Sequence, residues 1–140
     1  MRSFPLFLKL QGRPVLLAGS GAAAAAKLRL LAAAGARVRV VAAAPGTELL
    51  QASAAVTIAC EVRPITAADF DGVDLVIGAE GAEEADRALS VAARAAGKLV
   101  NIVDRPDLSD FTMPAIVDRD EIVVAISTDG ASPVLAHRVR

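Results

Sequence analysis

Residues 13–35 read RPVLLAGSGAAAAAKLRLLAAAG. An apolar run behind Pro14 meets a glycine turn at Gly19-Ser20-Gly21, and an alanine- and leucine-rich stretch follows at once. A proline at the first residue of a strand is tolerated, because its missing N–H is not yet needed for pairing. Alanine and leucine are the best helix formers, and Gly35 can take the left-handed conformation with which many helices end. Strand, glycine turn and helix in that order open a βαβ unit.

The same alternation continues outward. ARVRVVA (36–42) is valine-rich and alternating, which reads as a second strand. Pro45-Gly46 opens a short helix over Thr47–Ala54, and VTIACEV (56–62) is a third strand. VDLVIGA (73–79) is a fourth, EEADRALSVAARAAG (83–97) a helix ending on Gly97, and KLVNIV (98–103) a fifth strand. Strands and helices joined by short links predict an α/β, Rossmann-like, doubly wound parallel sheet over residues 1–110. The pattern then changes. Two apolar runs flank Asp118-Arg119-Asp120 with no helix between them, so 111–128 is expected to form an antiparallel hairpin. Ser132 and Pro133 then read as N-cap and first residue of a further helix, and 111–140 is expected to form a second segment. A helix of so few residues buries little, which leads us to expect a chain cut from something longer.

Composition narrows the function. The chain has 140 residues, 54% apolar and 22% charged, so it can bury a core. A net charge of −1, with neither tryptophan nor tyrosine, excludes a nucleic-acid surface built on a basic stripe or a stacking platform. Cys60 is the sole cysteine and His137 the sole histidine, which rules out an internal disulfide, a cysteine- or histidine-built metal site and a catalytic triad. MRSFPLFLKLQGR is too short and too soon charged for a signal peptide, and Lys27, Arg29, Arg37 and Arg39 interrupt the alanine runs. A cytoplasmic protein without membrane segments is the expectation.

Chemistry is concentrated in three places. Gly19, Gly21 and Ala24 fit G-x-G-x-x-A: the first glycine permits the tight turn, the second lets a pyrophosphate approach, and the third position must be small where helix and strand touch. The acid that commonly grips the adenosine ribose at the end of the second strand is missing, and Ala42, Ala43 and Ala44 stand there instead. No acid repels a 2′-phosphate and no arginine welcomes one, so NAD over NADP is only a leaning. Asp104 ends the fifth strand's apolar run, on the side where such sheets bind ligands. It reads equally as a general base, an oxygen ligand to a metal, or a turn former before Arg105-Pro106. In STDGASPVLAHR (127–138), Ser127, Thr128 and Ser132 suit an anion site or an ordinary helix cap. Glu80, Glu83, Glu84 and Asp86 read as acids favoured by a helix N-terminus.

FPLFLKLQGRPVLLAGSG, KLRLLAAAGARVRVV, NIVDRPDLSDFTMPAIVDRDEIVVAIST and GASPVLAHR together resemble the precorrin-2 dehydrogenase/sirohydrochlorin ferrochelatase family, the N-terminal module of sirohaem synthase. N-x-V-D followed by F-x-M-P-A and G-x-S-P-x-L-A is more specific than a glycine turn alone. The resemblance implies hydride transfer from precorrin-2 to NAD+, giving sirohydrochlorin, and in many members insertion of Fe2+ afterwards. It implies Asp104 as the catalytic aspartate, for chelation too, and Gly19, Gly21, Ala22 and Ala23 as the cofactor loop. Ala43 and Ala44 match the segment touching the adenosine half, and the hairpin matches the family's homodimer contact. Arg105, Ser127, Thr128 and Ser132 are then candidate anchors for the substrate's carboxylates. The chain departs from the family in its alanine-rich loop, in Thr128 and His137, and in the lack of the helical domain expected after the hairpin. Two other expectations compete: a non-enzymatic NAD-sensing module of the kind that gates transporters, and a chelatase without redox activity.

Overall fold

The computed structural model of the chain describes residues 1–128. β1 (Pro14–Gly19) starts on the proline and is buried from its second residue onward. It lies in the middle of a parallel five-stranded sheet ordered β3-β2-β1-β4-β5, with β2 at Arg37–Ala42, β3 at Cys60–Val62, β4 at Leu75–Ala79 and β5 at Leu99–Ile102. Leu17 stands opposite Val40 on one side and Ile77 on the other. Both faces of the central strands are covered, which is why they read as continuous apolar runs and not as alternating ones.

α1 (Ala22–Ala33) turns Ala24, Ala25, Leu28 and Leu31 inward, and α2 (Thr47–Ala55) packs beside it. α3 (Glu83–Ala95) contributes Leu89 and Ala93 to a core shared with Leu16, Ala18, Val76, Val100 and Ile102. Both long helices stop as their glycines foretell. Gly35 (φ 77°) and Gly97 (φ 73°) donate to Ala32 and Arg94, and the residues after them donate to Leu31 and Ala93. That paired pattern is a Schellman motif, and it requires the left-handed residue that glycine supplies.

Two elements differ from the sequence expectation. The run 56–62 pairs only from Cys60, because Val56 still caps α2 and Thr57 reverses the chain in a left-handed conformation (φ 57°). Val73 is buried but β4 begins only at Leu75, after Gly72 (φ 73°) has turned the chain into the sheet. Short 3₁₀ turns at Ala67–Phe70 and Pro106–Leu108 follow β3 and β5.

The sheet and its helices make one compact unit, Phe7–Asp110; Met1–Leu6 and the segment beginning at Phe111 belong to another. In the latter, β6 (Ala115–Arg119) and β7 (Ile122–Ile126) pair antiparallel, with Asp120 (φ 57°) making the turn. Among the described residues no helix is long and apolar enough to cross a membrane.

Candidate functional site

In an open parallel sheet the ligand crevice lies where neighbouring strands lead off in opposite directions, at their carboxyl ends. Here that point is between β1 and β4. Gly19 is compressed into it: a Cβ there would stand 2.7 Å from the Ala79 carbonyl oxygen and 2.8 Å from the Ala24 Cβ. Gly21 is the opposite case. It is the N-cap of α1, extended at φ −116° and ψ −151°, and a Cβ there would meet nothing within 4 Å. No side chain caps the helix, and the first helical amide bond runs from Ala25 N–H to the Gly21 carbonyl. The amides before it are left without intrahelical partners, beside the exposed Ala22 and Ala23. Unpartnered N–H groups at a helix start, with open space in front, fit the pyrophosphate of a dinucleotide.

The end of β2 is tied to this turn, since the Gly46 N–H donates to the Ser20 carbonyl at 2.7 Å. Ala43 and Ala44 lie exposed on that link. They offer backbone and a small apolar surface, and no carboxylate for a ribose.

Asp104 stands just past β5, exposed, in the left-handed conformation (φ 61°). Its neighbours are pinned: Val103 N–H donates to the Gly78 carbonyl at 2.9 Å and Arg105 N–H to the Ile102 carbonyl at 3.1 Å. Among the described residues no hydrogen bond or ion pair holds the Asp104 carboxylate. The half-buried Lys27 of α1 senses it: burial pushes the ammonium below the usual lysine range, and the Asp104 charge pulls it partly back. Lys27 itself makes no ion pair within 4.0 Å among the described residues. Glu80, just past β4, is half-buried too, and burial, then the charge of Asp86, holds its carboxyl above the ordinary range.

Arg105 is engaged elsewhere. Its Nε donates to Asp86 Oδ2 at 2.9 Å, and the Asp86 side chain is only 2% exposed. Ser127 and Thr128 follow β7 in the other unit, and Ser132 lies outside the described residues. The structure therefore brings Gly19, Gly21, Ala22, Ala23, Ala43, Ala44 and Asp104 to one edge of one sheet. Among the described residues no three His, Cys, Asp or Glu side chains come together as a metal site.

Sequence reasoning gave Lys27 no functional role and read Asp86 only as a helix-start acid. For Asp86 a signal existed: it shares the inward stripe of α3 with Leu89, Ser90 and Ala93 at helical spacing. For Lys27 there was none, because the carboxylate whose charge it feels lies past β5, far along the chain.

The chain is 43% identical over 140 residues to the siroheme synthase of Methylococcus capsulatus, and 46% identical over 140 residues to that of Ectopseudomonas mendocina. Each alignment covers all of this chain and 30% of the relative, so the chain spans under a third of the length of these curated proteins. Among solved structures it is similar to SirC, a precorrin-2 dehydrogenase, with a TM-score of 0.76 and 26% identity over 98% of this chain and 67% of that one. Residues 6–115 match the family described as "Putative NAD(P)-binding". That span holds the whole parallel sheet, the glycine turn and Asp104, and the chain belongs to this NAD(P)-binding family.

Proposed function

We propose that the chain carries out the NAD-dependent oxidation of precorrin-2 to sirohydrochlorin, with Asp104 as general base. One observation carries the reading: a carboxylate with no partner among the described residues and an uncapped helix start with open space in front of it occupy the same strand-end edge. Two hydrogens leave the porphyrinoid, one as hydride and one as proton. Bound NAD+ supplies the hydride acceptor. Asp104 takes the proton, because its carboxylate is exposed and has no partner among the described residues. The amides of Ala22 and Ala23 hold the pyrophosphate, with Gly19 and Gly21 giving it room, and Ala43 and Ala44 carry the adenosine half. NAD is preferred to NADP, since no arginine stands at the end of β2 to take a 2′-phosphate.

The substrate bears many carboxylates. Lys27 and the free end of the Arg105 guanidinium are the cations nearest Asp104 in sequence or in charge coupling. Ser127, Thr128 and Ser132 are the further anchors of this reading, and residues 111–128 its homodimer contact. Insertion of Fe2+ into sirohydrochlorin follows at the same carboxylate, which would guide the metal and accept pyrrole protons. The setting is cytoplasmic. The similarity to siroheme synthases over the whole chain and to a precorrin-2 dehydrogenase supports this assignment over a sensing module.

The test is turnover by the full-length protein given precorrin-2 and NAD+, followed by NADH absorbance and the sirohydrochlorin spectrum. Asp104→Asn should lower kcat by about 10²–10⁴-fold with NAD+ affinity unchanged, the range expected for loss of a general base. NAD+ binding without turnover, or an unchanged rate in the variant, overturns the reading. Fe2+ uptake by sirohydrochlorin with NAD+ absent separates the chelatase step.

A further inference from the structure

Asp86 is an expensive residue where it stands. It is 1% exposed, on the face of α3 that also buries Leu89, Ser90 and Ala93. An acid gains from the helix N-terminus on any face of the first turn, as the exposed Glu83 and Glu84 do, so the macrodipole does not explain its burial. Oδ2 accepts from Arg105 Nε at 2.9 Å, while Oδ1 is buried with no hydrogen-bond partner. A buried carboxylate satisfied on one oxygen is poor packing, and an apolar side chain would serve the core better.

What the ion pair does hold is the turn carrying Asp104. The Arg105 backbone is fixed on both sides: its N–H donates to Ile102, and its carbonyl accepts from Ser109 Oγ at 2.8 Å and Leu108 N–H at 3.2 Å. The tie to α3 fixes its side chain as well. Asp104 sits between this anchor and Val103 in a left-handed conformation (φ 61°), one that aspartate tolerates better than most residues and that its pinned neighbours hold here. The pair also takes up the Nε of the guanidinium closest in sequence to Asp104, and that carboxylate has no partner among the described residues.

We infer that Asp86 is a positioning residue, which through Arg105 sets the backbone turn that presents the Asp104 carboxylate. The inference rests on Asp104 being the base. Asp86→Leu, Arg105→Leu, the double variant and Asp86→Asn are compared in the full-length protein, in precorrin-2-dependent NADH formation and in the ¹³Cα chemical shift of Asp104. The expected result is a kcat about 10–100-fold lower in either leucine variant, as for a small misplacement of a reacting group, with KM for NAD+ within about twofold. The double variant should be no worse than the singles. Asp86→Asn keeps an oxygen for Arg105 Nε and should recover most of the rate. The Asp104 shift should move away from its left-handed value in both leucine variants.

A merely structural pair would lower the melting temperature and leave kcat and the Asp104 shift as they are; that result overturns the inference. If Asp86→Leu does not fold, the Asp104 shift in Arg105→Leu decides, since the Arg105 side chain is 30% exposed and the shift does not depend on substrate binding. If the unmodified protein fails to turn over precorrin-2, the proposed reaction is at fault. The Asp104 shift then still decides whether the tether sets the turn.

Discussion

Gly21→Ala separates cofactor binding from folding. A Cβ at Gly21 meets nothing within 4 Å and the backbone there is extended, so alanine fits without strain. Loss of glycine at an N-cap costs a few tenths to about 1 kcal/mol, and the stiffer unfolded chain returns about 0.4–1 kcal/mol. Stability should therefore stay within about 1 kcal/mol of the unmodified protein. Binding should not. Pyrophosphate oxygens must come within about 2.7–2.9 Å of the amides at the start of α1, and the new methyl takes up part of the open space in front of Gly21 through which they approach. Displacing the ligand by a few tenths of an ångström weakens one or two charge-assisted hydrogen bonds, each worth about 1.5–3 kcal/mol. NAD+ affinity should fall roughly 10–100-fold, at about 1.4 kcal/mol per tenfold. Calorimetric titration with NAD+ and urea unfolding of the same preparations measure both quantities. Gly19→Ala is the contrast: its Cβ would press on the Ala79 backbone oxygen at 2.7 Å, so stability and binding should fall together. A folded Gly21→Ala variant that binds NAD+ as tightly as the original would show that the pyrophosphate lies elsewhere.

Three further outcomes follow from named groups. Lys27→Met removes the half-buried cation coupled to Asp104; KM for the polyanionic substrate should rise about 3–30-fold, from roughly 1–2 kcal/mol of lost attraction. Lys27 binds its proton less tightly folded than unfolded, so the fold should gain stability as pH rises toward the ordinary lysine range. That gain should vanish in Lys27→Met, and an unchanged pH slope in unfolding would contradict it. Asp69 is held at about 2, chiefly by the bidentate Arg63 guanidinium (2.7 and 2.8 Å) with help from Thr66 N–H. Below its ordinary range the unfolded chain takes up the proton first. The Asp69 contribution is thus complete above about pH 5 and is lost as pH falls toward about 2. With Arg63 partly exposed it amounts to roughly 1–2 kcal/mol, and Asp69→Asn should flatten that part of the denaturant-midpoint profile.

Local signals made the sheet legible. Pro14, Gly35 and Gly97 mark one strand start and two helix ends because each acts through its own backbone. The run 56–62 misled for an equally local reason: VTIACEV is apolar enough for a strand throughout, but α2 needed Val56 and Thr57 to stop and turn. The cradle was readable from glycine spacing. The state of Asp104 was not. Its left-handed backbone is flanked by the Arg105 N–H bond to the Ile102 carbonyl, by the Ser109 hydroxyl bond to the Arg105 carbonyl, and by an ion pair reaching back to α3. Burial of Asp86 was readable from its stripe, yet a helix-start acid offers a simpler explanation until its partner is known.

Alanine content, which first looks like helix filler, sets the closeness of the site's parts. With Ala24 against Gly19, α1 can lie almost on the carboxyl ends of β1 and β4, so that Lys27, farther along the same helix, still senses a carboxylate past β5. Larger residues at these contacts would lift the helix and separate cradle from carboxylate. Strand order does the rest. From Ala43 beyond β2, past Gly21 beyond β1 and Glu80 beyond β4, to Asp104 beyond β5 is three strand spacings, or about 14 Å at the usual ~4.8 Å each. A dinucleotide held as proposed, by the α1 amides at its pyrophosphate and by the alanines at its adenosine, would have β5 as the strand on the other side of the cradle. In the loop that follows β5, Asp110 is held by Arg94 and the Val100 N–H and Asp107 lies 4.0 Å from Arg87, which leaves Asp104 as the carboxylate of that loop without a partner among the described residues.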